Sequence, residues 1–158
     1  MDPAQNSFRS HYFPSVPDLK WNNWKWQMRN RISHFSQLEK YIQLSPKELE
    51  IISNNKIRIP LGITPHYLSL IDPINVNQPL RKTVIPNSDE LIHQPEESED
   101  PLCEISHSRI PGLIHRYPDR VLFLVHDFCA TYCRYCTRSR TVGHGKLKFF
   151  KRSSIISY

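Results

Sequence analysis

Residues 129–140 read CATYCRYCTRSR: Cys129, Cys133 and Cys136 fall within eight positions, and Arg138 and Arg140 follow them. Thiolates are soft donors that suit iron–sulfur clusters or zinc. A cluster that only carries electrons takes four protein thiolates. Three thiolates on a four-iron cluster leave one iron open to a substrate or cofactor, which turns an electron carrier into a reaction centre. The competing chemistry is zinc, with His126 or His144 completing a three-cysteine, one-histidine tetrahedron; His126 stands three residues before Cys129. Tyr135, just before the third cysteine, and the apolar run just before the first favour the cluster. Cys103 lies outside the group and is expected to be a thiol with no assigned role.

The cysteines need an element to present them. Residues 121–125, VLFLV, are apolar throughout. This pattern predicts a strand buried on both faces, as in a parallel sheet. A buried helix segment of this length has the same pattern, but the capless, proline-bounded entry through PGLIHRYPDR favours the strand. The cysteines would then occupy a loop at the strand's C-terminal end, where α/β folds and barrels place their sites. Upstream, helix-start signals recur. Asn22 or Asn23 caps a helix over WKWQMRNRI, residues 24–32. Ser36 with Glu39 forms a capping box, and Ser45, Pro46 and Glu48 form a stronger one. Thr64 with Pro65 opens a helix over HYLSLI, and Asn77 with Pro79 opens one through Val84. Trp21, Trp24 and Trp26 read as packing residues rather than a stacking platform for bases. Residues 1–18 read as a loose arm. Residues 94–104 hold five acids and two prolines and read as a solvated linker or wrapping loop.

The bulk composition narrows the function. Of 158 residues only Gly62, Gly112, Gly143 and Gly145 are glycine, which excludes a phosphate-cradling loop or dinucleotide fingerprint. Thirteen prolines imply short helices. The formal charge is +6, but Lys146, Lys148, Lys151 and Arg152 in residues 144–158 leave +2 for the rest, so a nucleic-acid partner is not expected. No apolar stretch suits a signal peptide or a membrane span. The expected compartment is the reducing cytoplasm, where clustered cysteines serve metals or catalysis rather than disulfides.

The segment PGLIHRYPDRVLFLVHDFCATYCRYCTRSR resembles the lysine 2,3-aminomutase family of the radical S-adenosylmethionine (SAM) enzymes, as do WKWQMRNRI and ITPHYLSLID, residues 63–72. The resemblance covers most of residues 21–143. It implies an isomerase that interconverts L-lysine and β-lysine by 1,2-amino migration. Cys129, Cys133 and Cys136 would hold a [4Fe–4S] cluster whose open iron chelates SAM. A reducing electron donor would trigger SAM cleavage to a 5′-deoxyadenosyl radical, which takes hydrogen from lysine held on pyridoxal phosphate. By the same resemblance, Tyr135 lies near the adenine of SAM, Arg116, Tyr117 and Arg120 seat pyridoxal phosphate, and Arg138 grips the substrate carboxylate. Guanidinium forks suit phosphate and carboxylate. The resemblance allows a homo-oligomer, and Ser139 and His126 depart from the family pattern without touching a ligand.

The implied fold class is α/β: short N-terminal helices leading into the first strand of a radical SAM partial (β/α) barrel. The expected organisation is a helical region with acidic linker over 1–110, the barrel start with cluster loop over 111–143, and a basic tail over 144–158. The tail leaves the family pattern, which predicts an N-terminal portion cut short by a frameshift or early stop. The glycine-rich SAM segment, the acids for the lysine amine and the lysine for pyridoxal phosphate lie in the family's later part, so no catalytic residue is assigned and no turnover by this chain alone is expected.

Overall fold

The computed structural model describes residues 3–54 and 57–144, and the basic tail from residue 145 lies outside them. The described residues form two compact units, one within residues 3–92 together with 130–134, the other of residues 93–129 together with 135–144.

The first unit is built from short helices, as the proline-punctuated sequence requires. They are α1 (Pro3–Tyr12), α2 (Asp18–Trp21), α3 (Trp24–Arg29), α4 (Phe35–Leu38), α5 (Pro46–Ser53), α6 (Pro65–Leu68) and α7 (Pro79–Lys82), followed by a 3-10 turn over Ser88–Leu91. The strong start signals hold. Asn23 Oδ1 accepts from the N–H of Lys25 at 2.9 Å and of Trp26 at 3.3 Å. Ser45 Oγ accepts from Glu48 N at 3.4 Å, and the Glu48 carboxylate accepts from Ser45 N at 2.6 Å. Thr64 Oγ1 accepts from Tyr67 N at 3.3 Å.

The weaker signals fail for identifiable reasons. α3 stops at Arg29 because Ile32 forms an antiparallel bridge with Ile63, through bonds of 2.8 and 3.0 Å. Ser36 lies inside α4 instead of capping a helix; Gln37 Oε1 accepts from the N–H groups of Ser33 and His34 at 3.2 and 3.3 Å. Asn77 opens nothing, since Gln78 takes the N-cap of α7 and spends its amide on Asp72 N and Leu70 O. The loose arm is instead helix α1. Phe8 and Tyr12 pack on Tyr41 at 5.8 and 4.9 Å between ring centroids, and Phe13 lies 5.6 Å from Trp21 and 5.9 Å from Trp26. Trp21 is buried and Trp24 exposed.

The core of this unit gathers Ile32, Leu38, Ile42, Leu61, Ile63, Leu68, Ile71, Val84 and Ile85. Arg81 is also fully buried. Its guanidinium donates to Glu48 Oε1 at 3.0 Å and Oε2 at 2.7 Å. The remaining N–H groups reach the carbonyls of Gln43, Asp72 and Pro73 at 2.6, 3.2 and 3.0 Å. A buried charge needs this full set of partners.

In the second unit, β1 (Leu113–Tyr117) and β2 (Arg120–Phe123) form an antiparallel hairpin. Leu113 faces Phe123, Ile114 faces Leu122 and Tyr117 faces Arg120, with an irregularity between Ile114 and Tyr117. This corrects the expected buried parallel strand over Val121–Val125. The strand ends at Phe123, pairs antiparallel, and leaves Val121, Leu122, Phe123 and Val125 exposed. An all-apolar run signals contact surface, not the element that meets it. Among the described residues there is no barrel, and no helix is long and apolar enough to cross a membrane.

Candidate functional site

The HRYPDR stretch is the tip of the hairpin, with Pro118 and Asp119 joining the strands. Arg116 Nη1 donates to Leu102 O at 2.7 Å. Arg120 donates through Nε and Nη2 to the two Asp119 oxygens at 3.0 and 2.7 Å, and its guanidinium lies 5.7 Å from the Tyr117 ring centroid. The Arg120 hydrogen bonds hold the Asp119 carboxyl below the usual carboxylate range. Both side chains remain exposed.

Arg138 reaches the same unit from the cysteine segment. Its Nε and Nη2 donate to Glu104 Oε1 at 2.9 and 2.7 Å. Arg140 Nη2 donates to Glu104 Oε2 at 3.1 Å, and Arg140 Nη1 pairs with Asp100 Oδ1 at 2.9 Å. Asp100 also accepts from the N–H groups of Glu104 and Ile105 at 2.9 and 2.8 Å. Burial tends to raise the Asp100 pKa, but those two N–H bonds and the charges of Arg140 and Arg116 outweigh it and the net shift is downward. The acidic stretch is therefore a solvated linker only in its first part: Glu104 is buried and serves as the counter-charge to two arginines.

Arg116, Tyr117, Arg120 and Arg138 line one cavity of ≈ 350 Å³, together with Glu104 and the apolar side chains of Leu102, Ile114, Val121 and Leu122. Its size falls in the range of small-ligand pockets, and its lining pairs apolar walls with a few charged groups. Three guanidinium groups and a phenol fit a phosphorylated aromatic ring and a carboxylate. The four residues assigned to pyridoxal phosphate and substrate thus share one cavity.

The cysteines are placed differently. Residues 124–144 run without helix or strand. Cys129 is exposed, Cys133 and Cys136 are half-buried, and none of the four cysteines is in a disulfide. Cys133 falls in the first unit, Cys129 and Cys136 in the second. Among the described residues no group of three His, Cys, Asp or Glu side chains is positioned to hold a metal. The donor set fits a soft metal by its chemistry and spacing. The histidines considered for zinc have other neighbours: the His126 ring lies 5.0 Å from Phe128, and His144 Nε2 lies 3.0 Å from Ser139 O. Tyr135 is exposed and does not line the cavity.

Residues 130–134 pack into the first unit. Tyr132 is buried, donates its N–H to Gly62 O at 2.9 Å, and has the Arg31 guanidinium 4.8 Å from its ring centroid. Arg134 donates to Ile59 O at 2.7 Å and to both Glu90 oxygens at 2.9 and 2.5 Å, while its backbone N–H reaches Thr83 O at 2.8 Å. Sequence reasoning assigned no role to Glu104, Asp100, Gly62 or Glu90. Nothing local separates Glu104 from the other acids of its run; its role depends on arginines more than thirty positions away.

A scan against protein-family models gives no match. Individual proteins match clearly. The L-lysine 2,3-aminomutase of Acetoanaerobium sticklandii is 49% identical over 137 residues, which span 87% of this chain and 33% of that protein. The L-lysine 2,3-aminomutase of Clostridium subterminale is 49% identical over 135 residues, 85% of this chain and 32% of that protein. The glutamate 2,3-aminomutase of Clostridioides difficile is 41% identical over 123 residues, 78% of this chain and 29% of that protein. The chain spans about a third of the length of the curated relatives it matches. Over these residues the chain belongs to the lysine 2,3-aminomutase family and corresponds to the N-terminal portion of its members.

Proposed function

We propose that this chain carries the cluster-binding and cofactor-seating portion of an aminomutase that interconverts L-lysine and β-lysine. The observation that carries this reading is the joint lining of one cavity by Arg116, Tyr117, Arg120 and Arg138. Arg116 and Arg120 offer planar forks to a phosphate, and the Tyr117 ring offers a face to a pyridine. Arg138 offers two parallel N–H groups, spent here on Glu104, to an α-carboxylate. A carboxylate is common to lysine and glutamate. The relatives at 49% identity are named for lysine, which favours lysine. Cys129, Cys133 and Cys136 would hold a [4Fe–4S] cluster, with Tyr135 beside bound SAM. When bound, the cluster supplies one electron to cleave SAM, and pyridoxal phosphate stabilises the migrating amine. An external donor supplies that electron, and reduced thiolates fit a cytoplasmic setting. The exposed apolar side chains of β2 suit a strand that a larger (β/α) assembly covers.

The test is anaerobic reconstitution of the full chain with iron and sulfide. The expected result is a broad brown absorbance that reductant bleaches, a magnetic spectrum that SAM perturbs, and loss of both in Cys133→Ala. Colourless zinc binding with no response to SAM would overturn the reading.

A further inference from the structure

We propose that Gly62 is a positioning residue for Cys133, acting through the ring of Tyr132; this rests on reading Cys133 as a metal ligand. Cys133 belongs to no helix or strand, and both of its chain neighbours are anchored in the first unit. On its N-terminal side, the buried Tyr132 ring lies against Gly62. A Cβ at position 62 would stand 2.6 Å from Tyr132 Cδ2 and 2.9 Å from Cε2, closer than carbon atoms approach without something moving. Gly62 is not in the left-handed region, so space and not backbone conformation demands glycine here. The Gly62 carbonyl also accepts the Tyr132 N–H at 2.9 Å, which ties the loop backbone to the same point that seats the ring. On the C-terminal side, Arg134 is anchored to Thr83, Ile59 and Glu90. Cys133 is thus the single residue between two clamped neighbours, and its sulfur is carried on a fixed backbone although the loop has no regular structure. Any side chain at 62 displaces the ring and releases the first clamp.

The experiment uses the full chain and two readouts. Alkylation of each cysteine by iodoacetamide is followed by mass spectrometry, with Cys103 as internal reference, and iron per chain is measured after anaerobic reconstitution. In Gly62→Ala, Cys133 alkylation is expected to rise about tenfold, which corresponds to ~1.4 kcal/mol and the lower range of overpacking costs. Cys103 should not change, and iron uptake should fall. If Gly62 acts through the ring, Gly62→Ala adds nothing in a Tyr132→Ala background, where both readouts should match Tyr132→Ala alone. An unchanged Cys133 rate in a folded Gly62→Ala, or an added effect in the Tyr132→Ala background, overturns the proposal. If Gly62→Ala alone does not fold, the double variant is expected to fold as well as Tyr132→Ala, and its failure to do so overturns the proposal. Absence of iron uptake by the parent chain would remove the cluster reading while the alkylation comparison still decides whether Gly62 positions Cys133.

Discussion

Glu48→Gln is the sharpest probe of how the first unit is held. The substitution keeps the shape of the side chain and removes its charge. Arg81 then stays fully buried with three carbonyl acceptors and no carboxylate hydrogen-bonded to its guanidinium. Removing one partner of a buried ion pair costs ~3–5 kcal/mol, because the other charge is left uncompensated. Whole domains are stable by only about 5–15 kcal/mol, so this single change removes a large share. The effect should reach the cysteine segment as well. Arg81 anchors α7, and Thr83, which caps it, accepts the backbone N–H of Arg134 next to Cys133. All the tryptophans lie in this unit, so urea unfolding followed by tryptophan fluorescence reports on it directly. A loss below ~1 kcal/mol with an unchanged denaturant slope would match an exposed pair and refute the assignment of Arg81 and Glu48 as the unit's central clamp.

Acid should weaken the same unit. Burial raises the Glu48 pKa, but hydrogen bonds from Arg81 and Ser45 and the Arg81 charge outweigh it, so the folded value is depressed. Its stabilisation is therefore fully present above the ordinary glutamate value of about 4.3 and is lost as pH falls through the lower folded value; urea midpoints taken across that range should drop in the parent chain and drop less in Glu48→Gln. Asn23→Ala removes the acceptor for two N–H groups at the start of α3 and is expected to cost ~1 kcal/mol in the same unfolding assay. Arg120→Ala should weaken pyridoxal phosphate binding about 10- to 100-fold in an absorbance titration, the worth of a hydrogen bond to a charged group; an unchanged affinity would remove Arg120 from the phosphate site.

What the sequence reveals depends on how local the cause is. Ser45, Pro46 and Glu48 specify a helix start by contacts three residues apart, and the structure realises it. The spacing of Cys129, Cys133 and Cys136 suggests a soft donor set by residue type alone, and among the described residues no group of three such side chains is placed to hold a metal. The N-terminal arm was not legible: Phe8 and Tyr12 pack on Tyr41, which comes from a distant segment of the sequence. The hairpin was misread because VLFLV reports apolar surface without reporting pairing direction or cover. Glu104 was hidden for a related reason, since it looks like its acidic neighbours until Arg138 and Arg140 close on it.

The open hairpin also bears on how the chain should be handled at the bench. Val121, Phe123 and Val125 present greasy side chains to water in the native fold. Dyes that brighten on such surface are widely taken as a sign of a half-melted chain. Here the properly folded polypeptide should light them up, so loss of native order is better followed by near-ultraviolet circular dichroism of its packed rings.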